Sequence, residues 1–212
     1  MVAVEEREDA GVEGNARLTG VLGALLVIAL AIEGITVPSV RDMLTLHVFL
    51  GLFVVPVVCL KLASTGYRFF HYYRGTAAYR RKGPPHPVLR LTAPLLIVTT
   101  LTLLGTGVVM LVVGPQHSDA WRTLHQGSFI AWFALTAIHL IGHAYETWKL
   151  TTDEMRATVR VARRKARVSL VAGSLVVGLI LGIASLSWTS AWKNRPRHRN
   201  ENAIPTLVTP HG

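Results

Sequence analysis

The chain has 212 residues, half of them hydrophobic, and a mean hydropathy of +0.40; it carries more apolar sequence than a soluble domain of this length. Its formal net charge is +10, but the basic residues lie between long apolar runs and not along a soluble face, which excludes a nucleic-acid-binding protein and points to a membrane domain. The one cysteine, Cys59, excludes an internal disulfide framework and a cysteine-ligated metal or iron–sulfur site within this chain, so metal chemistry falls to histidine.

Residues 1–17 are predicted to form a cytoplasmic N-terminal segment. Its acidic residues Glu5, Glu6, Glu8, Asp9 and Glu13 replace the basic region of a secretory signal, so no cleavage is expected. Five apolar runs follow within a transmembrane domain over 18–190, at roughly 18–38, 43–66, 91–114, 122–147 and 168–190. At about 1.5 Å per residue each can cross a hydrocarbon core of about 30 Å. In lipid every backbone N–H and C=O must be satisfied internally, and runs of this length without alternation are helices and not barrel strands. The predicted fold is all-α and integral to the membrane, with about five spans.

The first span holds Glu33, a carboxylate able to carry a proton to or from a quinone. The stretch after the second span, residues 61–90, carries Lys61, Arg68, Arg74, Arg80, Arg81, Lys82 and Arg90 with no acidic residue, and 149–167 repeats the bias. The links near Arg41–Asp42 and at 114–122 are nearly neutral. The basic connections are therefore expected inside, with the N-terminus cytoplasmic and the C-terminus outside the plasma membrane. Thr152 to Val168 reads either as an interfacial helix on the anionic inner leaflet or as a solvated helical extension. The fifth span contains Gly178-x-x-x-Gly182, a small-xxx-small pattern for close packing within the bundle or in a dimer. Residues 191–212, with Pro196, Pro205 and Pro210, read as a flexible tail.

Four histidines fall in or at the ends of spans two and four: His47, His125, His139 and His143. Ionisable residues at membrane depth usually serve a pathway, a ligand or a cofactor. His125 and His139 are fourteen residues apart on one face of a helix, with a rise of roughly 21 Å, and His143 shares that face at about 27 Å. Such a ladder can hold two haems. Bis-histidine ligation needs a partner imidazole at equal depth, and His47 and His125 each lie a few residues past the outer start of their span, so they are the predicted axial pair of an outer haem.

For an inner haem, His139 or His143 would serve, but fourteen and eighteen residues beyond His47 the second span offers Lys61 and Thr65. The next candidate is His71, about 36 Å beyond His47 on a straight helix, in an aromatic and basic interfacial belt that also occurs without any ligand. Gly66 could interrupt the helix before it. The expectation is one or two haems b, two preferred. Arg41 and Arg122 precede the two outer histidines and could neutralise propionates. Gly51, one turn after His47, and Gly105 and Gly107 of span three would let a flat macrocycle approach. Trp121 and Trp132 flank His125 and could pack against it.

Over roughly residues 40–147 the pattern resembles the bacterial cytochrome b superfamily, which includes the membrane subunits of formate dehydrogenase and nickel–iron hydrogenase. The resemblance rests on His47 in Leu46-His47-Val48-Phe49-Leu50-Gly51, on Gly105-Thr106-Gly107, and on the His125 to His139 spacing followed by His143. Gly66-Tyr67-Arg68 through Pro84-Pro85 is similar to a narrower actinobacterial-type group. The resemblance implies a haem-binding four-helix bundle plus one extra helix, and haem b on His47 and His125, with His139 or His143 serving a second. It further implies electron transfer between the quinone pool and a redox partner protein. The first span lacks the histidine ligand found in those subunits. Competing expectations are a non-haem scaffold or a proton or metal transporter using the same histidines, and a membrane anchor for a periplasmic molybdenum or copper enzyme, with a homodimer or larger complex open in each case.

Overall fold

A computed structural model describes residues 2–81, 87–154 and 164–193, apart from the side chains of 2–9, 88–89 and 143–154. The helices are α1 (Val2–Thr36), α2 (Leu44–Tyr73), the short α3 (Ala77–Arg81), α4 (Pro87–Val113), α5 (Asp119–Glu154) and α6 (Arg164–Lys193), with a 3₁₀ turn at Pro115–His117. No strand occurs among the described residues. Five helices hold a stretch long and apolar enough to span a bilayer: Ala10–Thr36, Leu44–Tyr73, Arg90–Val113, Asp119–Gly142 and Arg164–Lys193. The chain is an all-α integral membrane protein of about five spans.

The helices outrun the apolar stretches, because hydropathy marks only the lipid-buried part of a helix while Glu, Arg and Ala extend it through the interface. Thus α1 reaches back through the acidic segment, and α2 continues without a break past Gly66 to Tyr73. Of the segment Thr152 to Val168, residues 155–163 lie outside the described residues, as does the tail from 194.

Large apolar side chains face outward along every span, among them Ile32, Leu101, Phe133, Ile141 and Ile183. The buried positions of α6 are instead Gly178, Gly182, Ser185 and Thr189. This inverts the soluble pattern: lipid is as apolar as leucine, so helices associate through small residues that let backbones approach. Added to Gly178, a Cβ would run into the Phe53 carbonyl oxygen, and one at Gly182 would lie 2.8 Å from the Phe49 ring. The small-residue face therefore packs inside the chain, against α2.

Helix α2 is the central member, packed extensively on α1 and α6, while α4 and α5 form a hairpin and contact between α2 and α4 is thinner. A polar seam joins α1 to α2. Asn15 donates to the Ser64 carbonyl at 3.1 Å and accepts from its hydroxyl at 2.8 Å. Lys61 Nζ donates to the Thr19 carbonyl at 2.8 Å, in space that a Cβ at Gly23 would occupy. At its far end α2 closes in a Schellman motif: Thr76 N–H reaches the His71 carbonyl at 3.1 Å, Gly75 N–H that of Tyr72 at 3.2 Å, and Gly75 takes φ +86°.

Candidate functional site

The link from α1 to α2 is tight, with Asp42 and Met43 N–H groups both bonded to the Ser39 carbonyl at 3.0 Å. This lays His47, in the first turn of α2, against the last turn of α1. There its Nδ1 is 2.9 Å from Glu33 Oε1 and 2.9 Å from Thr36 Oγ1. The Thr36 hydroxyl donates to the Glu33 carbonyl at 2.6 Å, so its oxygen accepts from the ring. Carboxylate and hydroxyl together hold the proton of His47 on Nδ1, leaving the Nε2 lone pair available. Glu33 Oε2 is buried with no hydrogen-bond partner among the described residues, and the nearest atom to a Cβ at Gly51 would be Glu33 Oε1, 3.7 Å away.

His125 is treated the same way from the opposite wall. Its Nδ1 lies 3.0 Å from the Leu103 carbonyl and 3.1 Å from Thr106 Oγ1, whose own proton goes back to the Thr102 carbonyl at 2.7 Å. A carbonyl can only accept, so the His125 proton also sits on Nδ1. Gly107 faces this ring: a Cβ there would lie in contact with it, 3.4 Å from His125 Cε1. Of the two glycines expected beside a macrocycle, Gly107 therefore accommodates the imidazole, while Gly105 has nothing within 4 Å of a Cβ.

The two rings meet between the helix groups, with centroids 6.3 Å apart and planes at 85°. Each Nδ1 is committed to its own wall, and among the described residues neither Nε2 has a hydrogen-bond partner. The residues that would hold a metal or a haem iron here are His47 and His125, each through its Nε2. Carboxylate or carbonyl partners on the other ring nitrogen are the usual support of a ligating histidine.

Arg41 is exposed in the α1–α2 link and Arg122 is half-buried on α5, one turn before His125. Trp132 donates to Thr100 Oγ1 at 3.0 Å, tying α5 to α4; Trp121 is 39% exposed.

His71 is not drawn into a comparable pair among the described residues. His71 stacks on Tyr79 at 5.4 Å and on Tyr67 at 4.2 Å, with Nδ1 3.2 Å from Thr76 Oγ1, so it belongs to the corner between α2 and α3. Burial there pushes the Tyr79 phenol above its ordinary range, Tyr67 adding to the shift and Arg68 opposing it. His139 is half-buried on α5. At the equivalent step along α2 stands Lys61, which turns toward α1. The side chain of His143 lies outside the described residues. No group of three or more His, Cys, Asp or Glu able to hold a metal ion occurs among the described residues.

Sequence reasoning found both imidazoles of the pair but not what holds them. Glu33 stood out as a carboxylate without its link to His47, and Thr106 lay inside the noted Gly-Thr-Gly; Thr36 gave no signal. No protein-family model, curated protein or solved structure matches the chain.

Proposed function

We propose that the chain is a b-type membrane cytochrome that carries electrons between the quinone pool and a redox partner protein, with haem b held by His47 and His125. The observation that carries this reading is the pair of imidazoles 6.3 Å apart, each with Nδ1 bonded to an acceptor on its own wall. Haem favours the pair over a bare metal ion, because the macrocycle supplies four ligands and two histidines complete the set. A transition-metal site without it would need further His, Cys, Asp or Glu ligands, and no group of three such residues able to hold a metal occurs among the described residues. The haem iron would supply one-electron storage. The protein's own part is to orient both rings, exclude water and set the charge around them, with Arg41 and Arg122 as counter-charges for propionates. His71 is engaged by the α2–α3 corner, so a second haem would draw on His139 or His143. The excess of Lys and Arg in the connections supports a reading with the N-terminus on the cytoplasmic side of the plasma membrane and the C-terminus outside.

The test is a reduced-minus-oxidised spectrum with haem quantified per chain, on the native protein and on His47→Ala and His125→Ala. One haem per chain, abolished by either change, is the expected result. No Soret absorption after haem-sufficient expression would overturn the reading in favour of a scaffold or transporter. Two haems, falling to one in each variant, would restore a second site at His139 or His143.

A further inference from the structure

Lys61 is a half-buried donor that the imidazole pair does not use. Its Nζ donates to the Thr19 carbonyl at 2.8 Å and lies on the flank of α1 at Gly23, where an added Cβ would meet only Lys61 Nζ and Cε. No carboxylate pairs with it among the described residues, so only one of its three donors is used. Gly23 lies six residues past Arg17 and ten before Glu33, with no charged residue between those two; these steps are about 9 Å and 15 Å along the helix. The donor is thus held within the apolar stretch and does not snorkel to the interface as a lysine near a helix end does. Leu18 and Val21 face α6, whereas Thr19 and Gly23, at about 100° per residue, lie on the opposite flank of α1. Helix α1 packs on α2, α3 and α6 and makes at most slight contact with α4 and α5, so this flank is open to lipid. Gly20 is exposed there with nothing within 4 Å of a Cβ, which leaves the helix surface beside the donor flat.

A donor at that depth suits an acceptor that resides in hydrocarbon. Phospholipid phosphates and esters lie in the interfacial layer, at the level of Arg17 and not of Gly23. A quinone brings carbonyl acceptors on a flat ring, with an apolar tail that keeps it within the core, and a carbonyl accepts readily from a lysine N–H. We infer that Lys61 binds the headgroup of a quinone, with one carbonyl at Nζ, the ring against Gly20 and Gly23, and the tail passing into lipid along the exposed Ala24 and Val27. The site rests on the cytochrome reading, in which a quinone exchanges electrons with the chain. It lies about 15 Å along α1 from Glu33, so the quinone and the imidazole pair occupy different levels of the bundle.

The test is native mass spectrometry of the purified full chain titrated with decylubiquinone, with haem quantified on the same samples. The native protein should retain the quinone. K61M should hold it about tenfold more weakly, the scale of one hydrogen bond from a charged donor, at unchanged haem content. G20L keeps Lys61 but puts bulk on the flat surface, and should weaken retention at least as much; if K61M fails to fold, G20L decides alone. No retention by the native protein, or equal retention by all three, would overturn the proposal. So would retention lost only in His47→Ala, which puts the quinone at the imidazole pair, or a phospholipid held in its place through Lys61. A chain without haem whose quinone retention still depends on Lys61 supports the site and overturns the cytochrome reading. Full haem content with retention indifferent to Lys61 overturns the site and leaves that reading standing.

Discussion

Glu33 and Leu103 perform the same task for opposite imidazoles with different charge. The Leu103 carbonyl fixes the tautomer of His125 with a neutral acceptor, whereas the Glu33 carboxylate brings negative charge to the Nδ1–H of His47. A carboxylate behind a ligating histidine makes the ring more basic and favours the oxidised metal. Under the cytochrome reading, Glu33→Gln should therefore raise the midpoint potential. A tenfold change in the reduction equilibrium, about 59 mV for one electron, is the expected scale in redox titration, with Glu33→Asp lying between; an unmoved potential would reduce Glu33 to a packing role. The glycines of Gly105-Thr106-Gly107 separate as sharply. Gly107→Val drives a branched side chain into the space of His125 Cε1 and should cost most of the bound haem in a pyridine haemochrome assay, while Gly105→Ala, with open space around its Cβ, should cost none. The two histidines were legible because ionisable residues stand out in apolar helices. Their partners were not, because the reach of Glu33 and Thr36 to His47 depends on how tightly residues 37–43 turn, and spacing along one helix does not reveal that.

Each span was legible from its apolar length, yet where it packs was not. Gly178-x-x-x-Gly182 announced a close approach and left its partner open, since the same pattern serves a dimer or a bundle. Only the three-dimensional arrangement assigns it to α2, through two different contacts. A side chain at 178 would meet the rigid Phe53 carbonyl, and one at 182 the Phe49 ring, which can rotate away. Gly178→Leu should accordingly force α6 off α2 at a cost of about 3 kcal/mol, the upper range for overpacking, and Gly182→Ala should cost about 1 kcal/mol. Unfolding in mixed detergent measures both, and equal effects would contradict the assigned contacts. Helix ends were legible least of all. Hydropathy stops near Gly66 although α2 runs on to Tyr73, because the last turns are held by an aromatic belt and by the Schellman closure at Gly75 and not by lipid burial. That continuation places His71 beside Tyr79 in a corner of its own.

The molecule as a whole divides into a well-packed group of α1, α2 and α6 and the hairpin of α4 and α5, with thin contact between α2 and α4. His47 belongs to the first group through α1, and His125 to the second through α4, so the imidazole pair sits across the division. In the proposed holoprotein one ligand bonds both sides, and binding to the folded arrangement alone stabilises it by mass action. Haem removal should then loosen the molecule unevenly. Amide hydrogen exchange, followed by mass spectrometry on haem-loaded and haem-depleted protein, should speed up by about tenfold or more around residues 33–47 and 103–125, where local opening is coupled to the bound group. The α2–α6 contact at Gly178 and Gly182 does not depend on the imidazoles and should keep its protection. If exchange rises equally in both places, the two groups unfold as one body and the haem does not bridge them. If it rises in neither, the two imidazoles hold their positions without a ligand, and the tie between the groups must lie in the α2–α4 contact instead.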